Sequence, residues 1–150
     1  MSIESIKNYL DVSDRIASSG QPDEVQFRDI SQAGYDVVIN LAMPNSGDAI
    51  PEEGNIVTAL QMMYVHIPVP FDAPEIKHLR SFLGIMDALS DKKIWIHCVL
   101  NYRVSAFLYQ YWRLVKGMED VDASKVMLSS WAPNSTWKEF MKIELEDVGL

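Results

Sequence analysis

The chain has 150 residues, 48% of them hydrophobic and 23% charged, with a formal net charge of −8 at pH 7. That is the size and balance of one globular domain, large enough to bury most of its apolar side chains in a single core. The negative charge excludes nucleic acid as a partner, because such binders cluster Lys and Arg against the phosphate backbone. No stretch reaches the run of about 18 apolar residues that a membrane span needs, and the opening Met1-Ser2-Ile3-Glu4 lacks a basic and an apolar leader region; a cytoplasmic location is expected.

Taken in chain order, Ile3 to Leu10 reads as a short helix and Arg15 to Ser19 as a short strand entering the turn Gly20-Gln21-Pro22. Pro22 opens a helix to Ala33, with Asp23 and Glu24 at its positive end and Gly34 as its stop. Tyr35 to Leu41 is a β-branched run apolar enough to be buried on both faces. Met43 to Gly54 is a polar loop in which Asp48, Glu52 and Glu53 are solvated, and Glu53 to Met62 forms a short helix. Tyr64 to Val69 is a strand ended by prolines, with His66 structural inside it. Ile76, Leu79, Leu83, Met86 and Leu89 mark one face of a helix from Pro74 to Leu89. Ile94-Trp95-Ile96-His97 is a short buried strand, followed by a helix from Arg103 to Val115 that stops at Gly117, and by helices near Asp122 to Leu128 and Ser135 to Glu146. Trp112, Trp131 and Trp137, with Phe107, Tyr109 and Tyr111, fit helix faces packed on a sheet. Strands alternating with helices, with no repeat and no linker, predict one α/β domain around a central, mostly parallel sheet of four or five strands.

The chemistry gathers at His97-Cys98-Val99-Leu100-Asn101-Tyr102-Arg103-Val104-Ser105, where a buried strand stops at the only cysteine and a helix begins at an arginine. Backbone N–H groups of such a loop, together with the unpaired donors of the helix N-terminus, make a concave site for a phosphate or sulfate dianion. The same field favours the thiolate of Cys98, a ready nucleophile, and Arg103 supplies a planar fork for two phosphate oxygens. Each residue alone has a bland reading: Cys98 as an inert core thiol, Arg103 as a solvated helix-start residue, His97 as strand filling. The pairing directly after an apolar strand favours the anion-binding loop, with His97 placed to hydrogen-bond the Cys98 backbone.

The segment resembles the cysteine-based phosphatase superfamily, whose signature is His-Cys, five residues, Arg, then Ser or Thr. Here four residues intervene, Val104 follows Arg103, and the hydroxyl arrives one place late at Ser105. It is more similar to a bacterial family related to the dual-specificity and protein tyrosine phosphatases, also found fused to β-lactamase-like hydrolases, whose loop reads like His-Cys-Arg-Ser-Gly-Thr-Arg-Ser. Ile16 to Pro22 (IASSGQP), Gly34 to Leu41 (GYDVVINL) and Tyr64 to Val69 resemble further segments of that family in order and spacing. Asn101 stands at its glycine, a substitution that a left-handed backbone tolerates.

The resemblance implies a dual-specificity-phosphatase-like fold and hydrolysis of a phosphate monoester, phosphotyrosine or a small phosphorylated molecule, through a cysteinyl phosphate. Cys98 would attack, Arg103 and the loop from His97 through Val99, Leu100, Asn101, Tyr102, Val104 and Ser105 would bind the substrate, and an aspartate on another loop would protonate the leaving oxygen. Asp72, 26 residues before Cys98 and past a strand end on the same rim, is the candidate, with capping of the next helix as its alternative. No metal or organic cofactor is required, since neither metal-ligand spacing nor a nucleotide fingerprint occurs. A rhodanese-like sulfurtransferase, also built on a loop cysteine, and a catalytically silent anion-binding module are the alternative functions.

Overall fold

The computed structural model describes residues 2–150. Five strands, β1 (Leu10–Asp11), β2 (Ile16–Ser19), β3 (Val37–Asn40), β4 (Met63–His66) and β5 (Ile94–His97), form one sheet in the order β1-β2-β5-β3-β4. Only the β1–β2 pair is antiparallel. Every residue of β2, β3 and β5 is buried, as parallel strands covered on both faces require. The last strand, β5, lies between β2 and β3, with Ser19 and Asn40 both in register with His97. Its carboxyl end therefore opens where the strand order reverses, the usual ligand crevice of such sheets.

The helices are α1 (Glu24–Gln32), α2 (Glu53–Ala59), α3 (Ile76–Ala88), α4 (Tyr102–Gln110), α5 (Asp120–Ala123), α6 (Ser135–Phe140) and α7 (Leu145–Val148). Strand side chains alternate between faces, and the core divides accordingly. Ile16, Val37, Ile39, Ile94 and Ile96 pack with Leu79, Phe82 and Met86 of α3, Phe107 of α4 and Trp137 of α6. Ala17, Val38 and Trp95 pack with Phe27 and Ile30 of α1 and Val57 of α2. Trp95 is fully buried, and its indole N–H is satisfied by Ser19 Oγ at 2.9 Å. None of the described helices is long and apolar enough to cross a membrane.

Several elements differ from the sequence expectation. Ile3 to Leu10 is not a helix: a 3-10 turn covers Ile3–Ser5, Asn8 adopts a left-handed backbone (φ 52°), and Leu10 already belongs to β1. The helix expected at Pro22 begins at Glu24, because Asp23 is its N-cap and exchanges hydrogen bonds with Gln26 in a capping box. β4 stops at His66 and is an edge strand with no fully buried residue. Asp122 to Leu128 holds only the end of α5 and a 3-10 turn, Ser124–Val126. The helix expected over Ser135 to Glu146 is two, since Gln110 Nε2 and Arg113 Nη2 donate to the carbonyls of Phe140, Met141 and Ile143 at the break. The stops at Gly34 (φ 92°) and Gly117 (φ 69°) stand as read from the sequence.

Candidate active site

Cys98 to Asn101 join β5 to α4, and three consecutive carbonyls of this loop are each held by a donor outside it. The Cys98 carbonyl accepts from His97 Nδ1 at 3.0 Å, the Val99 carbonyl from the Gln21 N–H at 3.0 Å, and the Leu100 carbonyl from Asn8 Nδ2 at 2.9 Å. Among the described residues no acceptor takes the N–H of Val99, Leu100 or Asn101. Because peptide N–H and C=O point oppositely, pinning the carbonyls outward leaves the amides for the other side of the loop. Asn101 makes the turn into α4 at φ 71°, the left-handed conformation that Asn tolerates best after Gly.

Arg103 lies in the first turn of α4 and is only 6% exposed. Its Nη1 donates to the Val69 carbonyl at 2.9 Å, its guanidinium lies 5.7 Å from the centre of the Phe71 ring, and its Nε has no partner. No carboxylate among the described residues pairs with it. A buried guanidinium without a counter-ion is costly unless an anion completes it. Cys98, Arg103, Phe71, Val99, Leu100 and Tyr102 enclose a cavity of about 250 Å³. Tyr102 forms one wall, with its ring stacked on Trp131 at a 5.1 Å centroid distance.

The structure thus brings together Cys98, Arg103, Val99, Leu100 and Tyr102, but the other expected substrate-binding side chains are engaged elsewhere. His97 alternates to the opposite face of β5, where its ring meets Phe27 of α1 edge-on. The Asn101 amide is buried and donates to the Asn8 carbonyl and Ser18 Oγ. Val104 is a core residue, and Ser105 Oγ accepts from the Leu128 N–H rather than facing the thiol. Of their backbone N–H groups, that of Ser105 is taken by the Asn101 carbonyl at 3.1 Å, which leaves the Asn101 N–H for an anion. Asp72 is exposed in the turn Pro70–Ala73, which closes with the Ala73 N–H on the Pro70 carbonyl at 3.2 Å. It lines an adjacent groove with Pro74 and Phe140, while its neighbour Phe71 faces the cavity. Asp72 does not cap α3, whose N-cap is Glu75. His66 is structural, Nε2 donating to the Ala42 carbonyl at 2.7 Å, and Asp48 and Glu52 are exposed as expected.

Glu53 corrects the sequence reading most sharply. It is not solvated but 3% exposed, with Oε2 at 2.6 Å from His97 Nε2 and Oε1 accepting from Gln21 Nε2 at 2.8 Å. Burial alone would raise its carboxyl, but the charge of the His97 ring and hydrogen bonds from His97, Gln21 and Tyr64 outweigh it and hold the group below the ordinary carboxylate value. Neighbouring Tyr64, half-buried beside the same carboxylate, is pushed up to about 12, chiefly by its partial burial. A Pro- and Gly-punctuated surrounding made this glutamate look like loop; the one signal against it is its place at the first position of a helix.

No protein-family model and no curated protein matches the chain. Among solved structures, the "Putative phosphatase (DUF442)" from Shewanella putrefaciens CN-32 superposes with a TM-score of 0.83 at 35% sequence identity, over 93% of this chain and 91% of that one. The chain belongs to the DUF442 family. Its fold is shared more widely: Tk-PTP in its active form matches at TM-score 0.75 and 18% identity over 89% of this chain and 92% of its own. TpbA of P. aeruginosa matches at 0.74 and 14% over 95% and 88%. The DUF442 chain therefore has the α/β architecture of the dual-specificity and tyrosine phosphatases, as its loop and Gly-Gln-Pro turn implied.

Proposed function

We propose that the protein is a cysteine-dependent phosphatase that hydrolyses phosphate monoesters. The observation that carries this is Arg103, a buried guanidinium with an unpartnered Nε and no carboxylate, lining the same cavity as Cys98. In the first step Cys98 Sγ attacks phosphorus and an S–P bond forms as the ester P–O bond breaks. Arg103 and the free amides of Val99, Leu100 and Asn101 bind the equatorial oxygens, whose charge they match as it shifts. The N-terminus of α4 adds its positive end. Asp72, the carboxylate next in chain to cavity-lining Phe71, gives its proton to the departing oxygen. In the second step water attacks phosphorus, the S–P bond breaks, Cys98 leaves as thiolate, and Asp72 takes the proton back from the water.

The experiment is turnover of an aryl phosphate by the purified protein, beside thiosulfate:cyanide sulfur transfer, with Cys98→Ser as the control. Phosphate release that vanishes in C98S and is inhibited competitively by vanadate supports the reading. Sulfur transfer without phosphate release overturns it in favour of a sulfurtransferase. Vanadate binding without either turnover leaves an anion-binding module.

A further inference from the structure

We infer that Glu53 is a positioning residue for Cys98, acting through His97 to fix the proton arrangement behind the nucleophile; this rests on Cys98 being the reactive group. The chain of contacts is continuous and buried. Glu53 Oε2 stands 2.6 Å from His97 Nε2, and His97 Nδ1 stands 3.0 Å from the Cys98 carbonyl. Both residues are almost fully enclosed, His97 at 0% and Glu53 at 3% exposure.

Hydrogen-bond chemistry settles where the protons are. A carbonyl oxygen only accepts, so His97 Nδ1 carries a hydrogen and donates it to Cys98. Nε2 and Oε2 then share one proton. Glu53 also accepts from Gln21 Nε2 at 2.8 Å and receives a further hydrogen bond from the Tyr64 hydroxyl, which itself accepts from Asn40 Nδ2 at 3.0 Å. Those donors, with the charge of the ring, outweigh burial and hold the carboxyl below the ordinary carboxylate value.

A neutral glutamine at position 53 would satisfy the His97 ring at a smaller desolvation cost, by donating to a bare Nε2. A buried carboxylate is the group that can put the second proton on the ring. Among the described residues Glu53 of α2 is the titratable group hydrogen-bonded to the His97 ring, with Tyr64 of β4 beyond it and Cys98 next in chain, and the uncharged Phe27 of α1 meets the ring edge-on. Gln21 links this pair to the loop a second time. Its side chain holds Glu53 while its backbone N–H holds the Val99 carbonyl.

The test is the rate of iodoacetamide alkylation of the native protein, between about pH 5 and 9, for wild type, Glu53→Gln, His97→Asn and the double variant. The E53Q substitution keeps size and hydrogen bonding but removes the charge. It should raise the pH of half-maximal alkylation by about one unit, a tenfold slower reaction below both midpoints. His97→Asn keeps an N–H for the Cys98 carbonyl and holds no charge, so it should raise the midpoint as well. In that background E53Q should raise it no further, the signature of one residue acting through another. An E53Q midpoint equal to wild type, or the same upward shift in both backgrounds, overturns the inference. If E53Q does not fold, the H97N midpoint decides alone, and equality with wild type refutes the coupling. Aryl phosphate turnover on the same samples keeps the two ideas apart. Wild type that alkylates with the expected shifts but releases no phosphate would sink the phosphatase reading and leave Glu53 where it is placed.

Discussion

Gly20→Ala tests whether the loop from Cys98 to Asn101 is held from outside. Gly20 does not have a positive φ, so the backbone angle does not demand glycine; space does. A Cβ there would lie 2.4 Å from the Val99 carbonyl oxygen and 3.2 Å from its carbon. Both are backbone atoms that no rotamer change can move aside. Restoring an ordinary carbon–oxygen approach of about 3.3 Å requires the Val99 carbonyl to retreat by roughly 1 Å. That displacement breaks its 3.0 Å hydrogen bond from the Gln21 N–H and carries the Val99 and Leu100 amides with it. A misplacement of about 1 Å in a catalytic array costs on the order of a hundredfold. The expected fall in kcat/KM is therefore about a hundredfold, with about 1–3 kcal/mol of overpacking strain and a Tm lower by roughly 2–4 °C per kcal/mol. Gly84→Ala is the matched control. Gly84 is exposed in mid-α3 with no atom within 4 Å of the added methyl, so G84A should gain about 0.5–1 kcal/mol and leave kcat/KM unchanged. Steady-state kinetics and thermal scans on both variants read the result. A G20A protein with wild-type kcat/KM, whatever its Tm, refutes the argument that this turn sets the loop.

Arg103→Lys should lower kcat/KM by about a hundredfold or more, because a point charge cannot reproduce a bidentate grip on two oxygens; wild-type efficiency in a folded variant would remove Arg103 from the mechanism. Asp72→Asn should slow alkyl phosphates by about 10²–10⁴-fold while affecting activated aryl phosphates much less, with an unchanged Tm because the residue is exposed and caps nothing; equal rate changes for the two substrate classes would demote it. Burial, as the largest cause, pushes Tyr35 and Tyr64 up to about 12 from 10.0. The unfolded chain therefore releases these protons first, so stability from this source is complete below about pH 10 and declines as the pH rises towards 12; a thermal midpoint that is flat across that window would contradict the burial of the two phenols.

Most of the fold was legible because the dominant signals are periodic or compositional. YDVVINL and IWIH announce strands buried on both faces, and the spacing of Leu79, Leu83 and Met86 announces the helix that covers one of them. What failed was local. Ile3 to Leu10 has the composition of a helix, but Asn8 turns left-handed so that its side chain can reach the Leu100 carbonyl and its own carbonyl can accept from Asn101, contacts 92 and 93 residues away in sequence. Glu53 was missed for the same reason. Its partner His97 is 44 residues on, and nothing near either residue marks the pairing.

The Val-Leu-Asn-Tyr filling of the loop has a physical explanation. In the proposed mechanism the loop acts through its amides, and its carbonyls are held by residues outside it. His97 holds the Cys98 carbonyl, the Gly20-Gln21 turn holds that of Val99, and Asn8 holds that of Leu100. With the backbone set from behind, Val99, Leu100 and Tyr102 are free to shape the cavity wall, whereas Asn101 must make the left-handed turn. The loop's geometry therefore rests less on its own side chains than on the distant residues that grip it.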